Sequence, residues 1–245
     1  MIRFFLVILF ILIFFICSLV VLPIEGLIGL FSQKAKDVSC LAIIKAICRT
    51  IIFLTGAKVE VKGLENVPKD QPVLYVGNHR SYFDIVITMI YVNRITGYVS
   101  KIENGNVPIL AWWMRNLHCL LLDRKNIKQG LTTILQAIDL VKSGCSVCIF
   151  PEGTRNKVND TFLPFHEGSF KIAQKSGCLI QPFVFNNSAD IYEDHKPFVK
   201  PAKVVLEYLP PVDMSALDSE DSKHIGAYVQ KMIEDTYNRN KELYF

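Results

Sequence analysis

The sequence contains no G-x-S-x-G turn, so the strand-to-helix elbow that exposes a nucleophilic serine is missing. It contains no H-E-x-x-H, and its five histidines are scattered, so no metal-ligand spacing is present. No basic stripe with interleaved aromatics occurs. The 27 Lys and Arg residues are nearly balanced by 23 Asp and Glu, for a net charge of +4. That balance sets nucleic acid aside as a partner and suits an anionic membrane surface. The seven cysteines are odd in number and irregular in spacing. Cys145 and Cys148 form a C-x-x-C, but within an apolar strand-like run and without a second pair, so they read as small buried core residues. A disulfide framework is not expected, and a reducing compartment is. The chain also lacks internal repeats, low-complexity segments and a linker between two globular domains.

Apolar residues are in excess, at 51% of the chain, and concentrate at the N-terminus. Phe4 to Leu22 is a 19-residue run without a charge, long enough to span a hydrocarbon core. It exceeds the apolar stretch of a signal peptide, and no A-x-A-like cleavage site follows, so a retained membrane helix is expected. Pro23, Glu25, Gly26 and Gly29 then interrupt the pattern. In the next segment Cys40, Ile44, Ile47, Ile51 and Leu54 share one helical face, with Lys45 and Arg49 opposite. That is a basic amphipathic helix, either packed on the core or lying in the membrane interface. Arg3 and the amino terminus lie on one side of the first run, and Lys34 and Lys36 lie soon after it on the other. The count slightly favours a C-terminal domain on the cytoplasmic side of the cell membrane, and the expected reduced cysteines agree. The division predicted is residues 1–57 as membrane-anchoring helices and residues 58–245 as an α/β domain.

From Lys58 onward, short apolar runs alternate with helical patterns. Strands are predicted at KVEVKG, Val73 to His79, GYVS, CLLLDR, Ser146 to Phe150, LIQPFVFN and AKVVLEYL. Helices are predicted at Asp84 to Tyr91, from Pro108, over Ile127 to Lys142, at GSFKIAQKSG and around Ile225 to Ile233. Continuous apolar strands separated by helices indicate an α/β fold. The sheet would be buried, mixed and largely parallel, flanked by helices.

Two motifs follow strand ends. In GNHRSYFD, His79 and Asp84 are five residues apart. An imidazole at the carboxyl edge of a sheet can act as a general base, with the carboxylate fixing its tautomer. Asp84 could equally be only a helix cap, and His79 a structural residue. In FPEGTR, Gly153 lets backbone N–H groups approach an anion, Thr154 adds a hydroxyl and Arg155 a planar fork suited to phosphate. An ordinary strand-to-loop turn with a surface arginine is the plainer alternative. Glu152 would repel phosphate, and so is expected either to orient Arg155 or to accept backbone N–H bonds. A general base, a phosphate site and a membrane segment in one chain point to chemistry on a phosphorylated lipid.

These residues resemble the membrane-bound glycerolipid acyltransferases. NHRSYFD is similar to the family's His-x-x-x-x-Asp block, and FPEGTR to its Glu-Gly-Thr-Arg block, with Glu152 73 residues on from His79. SKIENGNVPILAWWMRNLHCLLLDR resembles the intervening block, and LIQPFVF the late block around Pro182. The likeness runs from about Val59 to Leu209. It implies that His79 deprotonates the sn-2 hydroxyl of lysophosphatidic acid, that Asp84 orients it, and that Arg155 holds the acceptor phosphate. Glu152, Gly153 and Thr154 would stand beside Arg155, with Lys101 as a second cation. It also implies acyl-CoA or acyl-carrier protein as donor and no tightly bound cofactor or metal. One departure is PFHEGSFKIA, where His166 and Glu167 precede Gly168 and the family often has a basic residue. Pro108, Trp112 and Trp113 read as an apolar wall. Competing readings are transfer to another lysolipid or to glycerol-3-phosphate, a non-catalytic lipid-binding protein, and a hydrolase that activates water.

Overall fold

The computed structural model describes residues 1–244. Helix α1 (Ile2–Phe31) and helix α2 (Gln33–Thr55) form an antiparallel hairpin turned at Ser32, whose hydroxyl caps α2 by accepting from the Ala35 N–H at 3.2 Å. The predicted interruption at Pro23 does not end the first helix, which runs eight residues further. A proline removes one backbone donor. Packing against α2 offsets this, and Glu25 is buried in the seam, accepting from Ser39 Oγ at 2.6 Å. The hairpin also changes the geometry behind the charge count. Arg3 and the end of α2 meet, with Arg3 Nη1 donating to the Leu54 carbonyl at 3.3 Å. The N-terminus and the start of the globular part therefore lie at one end of the hairpin, not on opposite sides of a single segment.

Both helices are long and apolar enough to cross a membrane. Phe5, Leu9, Leu12, Ile16 and Leu19 point outward and are exposed. Their inner faces dock on the globular part, where Trp113 Nε1 donates to Ser18 Oγ at 2.9 Å and stacks near Phe14. Lys45 does not turn outward. Its ammonium donates to the Val92 carbonyl at the end of α3 (Tyr82–Tyr91), where the helix dipole favours a cation. Among the two readings of this amphipathic helix, the packed one describes its Lys45 side.

Seven strands form one sheet: β1 (Lys58–Lys62), β2 (Val73–Gly77), β3 (Thr96–Lys101), β4 (Leu120–Leu122), β5 (Ser146–Ile149), β6 (Leu179–Asn186) and β7 (Lys203–Tyr208). Their order is β1-β7-β6-β2-β5-β3-β4, all neighbours parallel except β6 and β7. The mixed, largely parallel sheet agrees with the sequence. Residues of β2 alternate between two cores. Val73 and Tyr75 pack with α3, with α4 (Pro108–Asn116) and with the hairpin. Leu74 and Val76 pack under α5 (Ile127–Lys142), α6 (Lys171–Ser176) and α8 (Ile225–Tyr244), which follows the short α7 (Ser219–Lys223).

The connection after β2 leads by α3 towards β3, on one side of the sheet order. The connection after β5 leads by α6 towards β6, on the other. The two connections cross over each other's strand on opposite faces of the sheet, α3 packing in one core and α6 in the other, and this leaves a crevice at the carboxyl ends of β2 and β5, the usual ligand position in open α/β sheets. At the rim of that crevice Gly77 lies against Phe183. A Cβ there would come within 2.1 Å of the ring, so only glycine lets β2 pass.

Candidate active site

The register explains why motifs 73 residues apart meet. Val76 on β2 is paired with Ile149 on β5. Three residues on from each stand His79 and Glu152, facing one another across the crevice. The His79 N–H donates to Glu152 Oε1 at 2.7 Å, and the Leu163 N–H donates to Glu152 Oε2 at 3.2 Å. Glu152 is 4% exposed. Of the two roles expected for it, the structure displays the backbone one. Its carboxylate ties the two loops together and makes no bond to Arg155. Burial pushes its carboxyl up from 4.5 to about 7, against the lowering effect of the two N–H donors.

That shift has a sign that can be checked. Between the unfolded value of 4.5 and about 7, the folded protein keeps a proton that the unfolded chain releases. This group therefore favours folding fully below pH 4.5, and the advantage is lost as pH rises through about 7. The change is roughly 3 kcal/mol over the window. Melting the detergent-solubilised protein at pH 5 and pH 7.5, beside Glu152→Gln, should show a smaller fall in stability for the variant. An equal fall in both proteins would sink the assignment.

His79 and Asp84 are joined directly, Nδ1 to Oδ2 at 2.9 Å. The same Oδ2 accepts the N–H groups of Arg80 at 2.8 Å and Ser81 at 2.7 Å. Ser81 caps α3 and Asp84 completes a capping box. Asp84 is thus both a helix cap and the partner of the imidazole, and the local choice left open by its spacing was not a choice. A proton on Nδ1, given to the carboxylate, leaves Nε2 with its lone pair. The His79 ring is stacked on Phe150 at 4.1 Å and stays partly exposed, at 12% for its side chain. Asn78, just before it, is buried and clamps β2 to β6 by two bonds to Phe185, N–H to Oδ1 at 2.8 Å and Nδ2 to carbonyl at 2.9 Å.

Gly153 has φ +68, so the turn favours glycine for its conformation; a Cβ there would lie 3.3 Å from the ring of the exposed His166, which could yield. Thr154 is exposed and Arg155 half-buried. The Arg155 guanidinium lies over the Tyr82 ring, 3.6 Å from its centroid, and pairs with Glu193 at 3.2 Å. Lys101 ends β3, at the same carboxyl edge, but its ammonium is paired with Glu103 at 2.7 Å. Among the described residues it makes no bond to His79, Asp84 or Arg155. Glu167, at the departure from the family pattern, accepts the Gly226 N–H at 3.0 Å and so anchors the start of α8.

Three further residues belong to this site. The Asn156 N–H donates to the His79 carbonyl at 2.7 Å. Arg80 donates to the Val158 carbonyl and to Asn159 Oδ1, holding the loop after Arg155 against the loop after β2. Glu193 comes from a turn far along the chain. Asn156 and Arg80 adjoin the motifs and could have been suspected from that position. No local pattern marks Glu193.

The model of the family described as Acyltransferase matches residues 58–186. A chloroplastic 1-acyl-sn-glycerol-3-phosphate acyltransferase of Brassica napus is 34% identical over 135 residues, covering 55% of this chain and 39% of that one. The chain spans less than two fifths of that plant protein and of its Arabidopsis thaliana counterpart. A 1-acyl-sn-glycerol-3-phosphate acyltransferase of Borreliella burgdorferi is 26% identical over 189 residues, covering 77% of this chain and 75% of its own. The crystal structure of the 1-acyl-sn-glycerophosphate (LPA) acyltransferase PlsC from Thermotoga maritima superposes with a TM-score of 0.77, at 25% identity and 98% coverage of both chains.

Proposed function

The chain belongs to the Acyltransferase family, and on that premise we propose that it moves a fatty acyl group from an acyl thioester to the sn-2 hydroxyl of lysophosphatidic acid, giving phosphatidic acid. The observation that carries this reading is the His79 imidazole, fixed through Nδ1 by Asp84 at 2.9 Å and without a hydrogen bond at Nε2 among the described residues, in a crevice shared with the Arg155 loop. Nε2 takes the hydroxyl proton as the oxygen attacks the thioester carbonyl. Asp84 stabilises the imidazolium that forms. Collapse of the tetrahedral intermediate breaks the carbon–sulfur bond, and the imidazolium returns its proton to the departing sulfur. Arg155 holds the acceptor phosphate with the donors that Glu193 leaves unused, and so sets the distance from phosphate to hydroxyl. Lys101 can add a second cation by leaving Glu103. The donor is acyl-CoA or an acyl-carrier protein. The apolar hairpin holds the protein at the cell membrane, and the cysteines without disulfides suit a catalytic domain on the cytoplasmic side.

The test is direct. Detergent-solubilised protein given a labelled acyl thioester and lysophosphatidic acid should form labelled phosphatidic acid and release thiol in equal amount. Thiol release without lipid product would favour hydrolysis; product only with glycerol-3-phosphate or another lysolipid would move the acceptor. Arg155→Ala should raise the KM for lysophosphatidic acid about 10- to 100-fold, as loss of a charge-assisted phosphate contact implies, with a smaller fall in kcat. An unchanged KM would remove Arg155 from the phosphate site.

A further inference from the structure

We propose that Glu193 is a positioning residue for acyl transfer, acting through Arg155; the inference rests on the reading of Arg155 as the phosphate-holding group. Glu193 begins a 3-10 turn, Glu193–His195, that follows β6 and is remote in sequence from both motifs. Its Oε1 accepts the Tyr82 N–H at 2.9 Å and the Arg155 Nη1–H at 3.2 Å, and its Oε2 accepts the Ser81 hydroxyl at 2.5 Å. One carboxylate thus joins the first turn of α3, which carries Asp84, to the arginine of the second motif. Its side chain is 10% exposed against 30% for Arg155, so the carboxylate is the fixed partner and the guanidinium the more accessible one.

The bonds explain what this arrangement does. An unrestrained arginine side chain samples many rotamers. Here the Tyr82 ring supports one face of the guanidinium while Glu193 holds one edge. A guanidinium has five N–H donors, and Glu193 engages one of its nitrogens, leaving others for a phosphate. The carboxylate contributes nothing to phosphate affinity; its charge opposes it. Its effect is on place. It keeps Arg155 registered to the same helix start that orients His79, so that an anchored phosphate presents its hydroxyl at Nε2. Near-attack geometry is sensitive to such placement, and a displacement of about 1 Å can cost about 100-fold in rate.

The two effects make opposite demands on the variant Glu193→Gln. Loss of the negative charge should leave the affinity for lysophosphatidic acid unchanged or increased. Loss of the ion pair should lower kcat by about tenfold or more, because the acceptor is held but out of line. In an Arg155→Ala background the same change should cause no further loss of kcat, since the residue acts through the arginine. A second variant guards against misfolding. Tyr82→Leu lies at an exposed position and keeps the backbone N–H that Glu193 accepts. It should give the same split, with a smaller fall in kcat.

The experiment is steady-state acyl transfer to lysophosphatidic acid with calorimetric binding of the same lipid, in wild type, Glu193→Gln, Tyr82→Leu, Arg155→Ala and the Glu193→Gln/Arg155→Ala double variant, each with its melting temperature. A kcat unchanged in Glu193→Gln overturns the inference. So does a kcat loss that multiplies with that of Arg155→Ala, or one that comes with weaker binding and a lower melting temperature, which would make Glu193 a structural residue only. A wild type that transfers nothing overturns the acyl-transfer reading and this inference with it. A wild type that transfers normally beside an unimpaired Glu193→Gln overturns this inference alone.

Discussion

Replacing His79 by alanine should lower kcat for phosphatidic acid formation by about 1,000-fold, within the range general-base catalysis supplies. The KM for lysophosphatidic acid should move little, because the phosphate is held elsewhere. The structure also indicates that the variant folds. Asp84 Oδ2 keeps the N–H groups of Arg80 and Ser81 when the imidazole is gone, so no buried charge is stranded. The backbone N–H of residue 79 still reaches Glu152. The ring's remaining contact is its stack on Phe150, at a partly exposed position. Product formation and calorimetric binding of lysophosphatidic acid should therefore separate cleanly. Wild-type turnover from His79→Ala would remove the general base from the mechanism, whereas loss of binding in step with turnover would make His79 a binding group.

Asp84→Asn should lower kcat by about 100- to 10,000-fold while retaining most of the fold. Three donors converge on Asp84 Oδ2, so the amide oxygen must occupy that position and the NH2 must take the place of Oδ1. Oδ1 is buried and has no hydrogen-bond partner among the described residues. The new amide donors would thus be left unpaired, at a cost of about 1–3 kcal/mol, and the melting temperature should fall by several degrees. The kinetic loss has a different origin. A neutral amide does not stabilise the imidazolium that forms as the hydroxyl loses its proton. Measuring turnover well below the variant's melting temperature separates the two. More than about a tenth of wild-type kcat at that temperature would leave Asp84 as a helix cap alone.

Much of this was legible from local pattern. Strand β6 and helix α5 begin and end where the sequence places them, since both combine strong periodicity with clear stops. His79 and Asp84 are close in sequence, and a capped helix start brings them together without help from distant residues. Arg155 could be identified by type and by its glycine-containing turn. The first helix was misread at Pro23 because a proline weakens a helix locally, while the packing of α2 against it is a long-range effect. Lys45 was placed opposite the apolar face by period alone. Its partner, the Val92 carbonyl, is a backbone group just past the end of another helix and leaves no trace in the pattern around Lys45.

By itself the sequence determined the alternation of apolar strands and helices, the membrane-length apolar runs and the two polar turns of the candidate site, because each depends on neighbours a few residues away. The tertiary structure alone decided how those turns face each other. The order β2-β5 and the pairing of Val76 with Ile149 set His79 beside Glu152. The fold of the chain after β6 brings Glu193 to Arg155. Register and strand order arise from the burial of two whole sheet faces, a sum over the domain that no short stretch encodes.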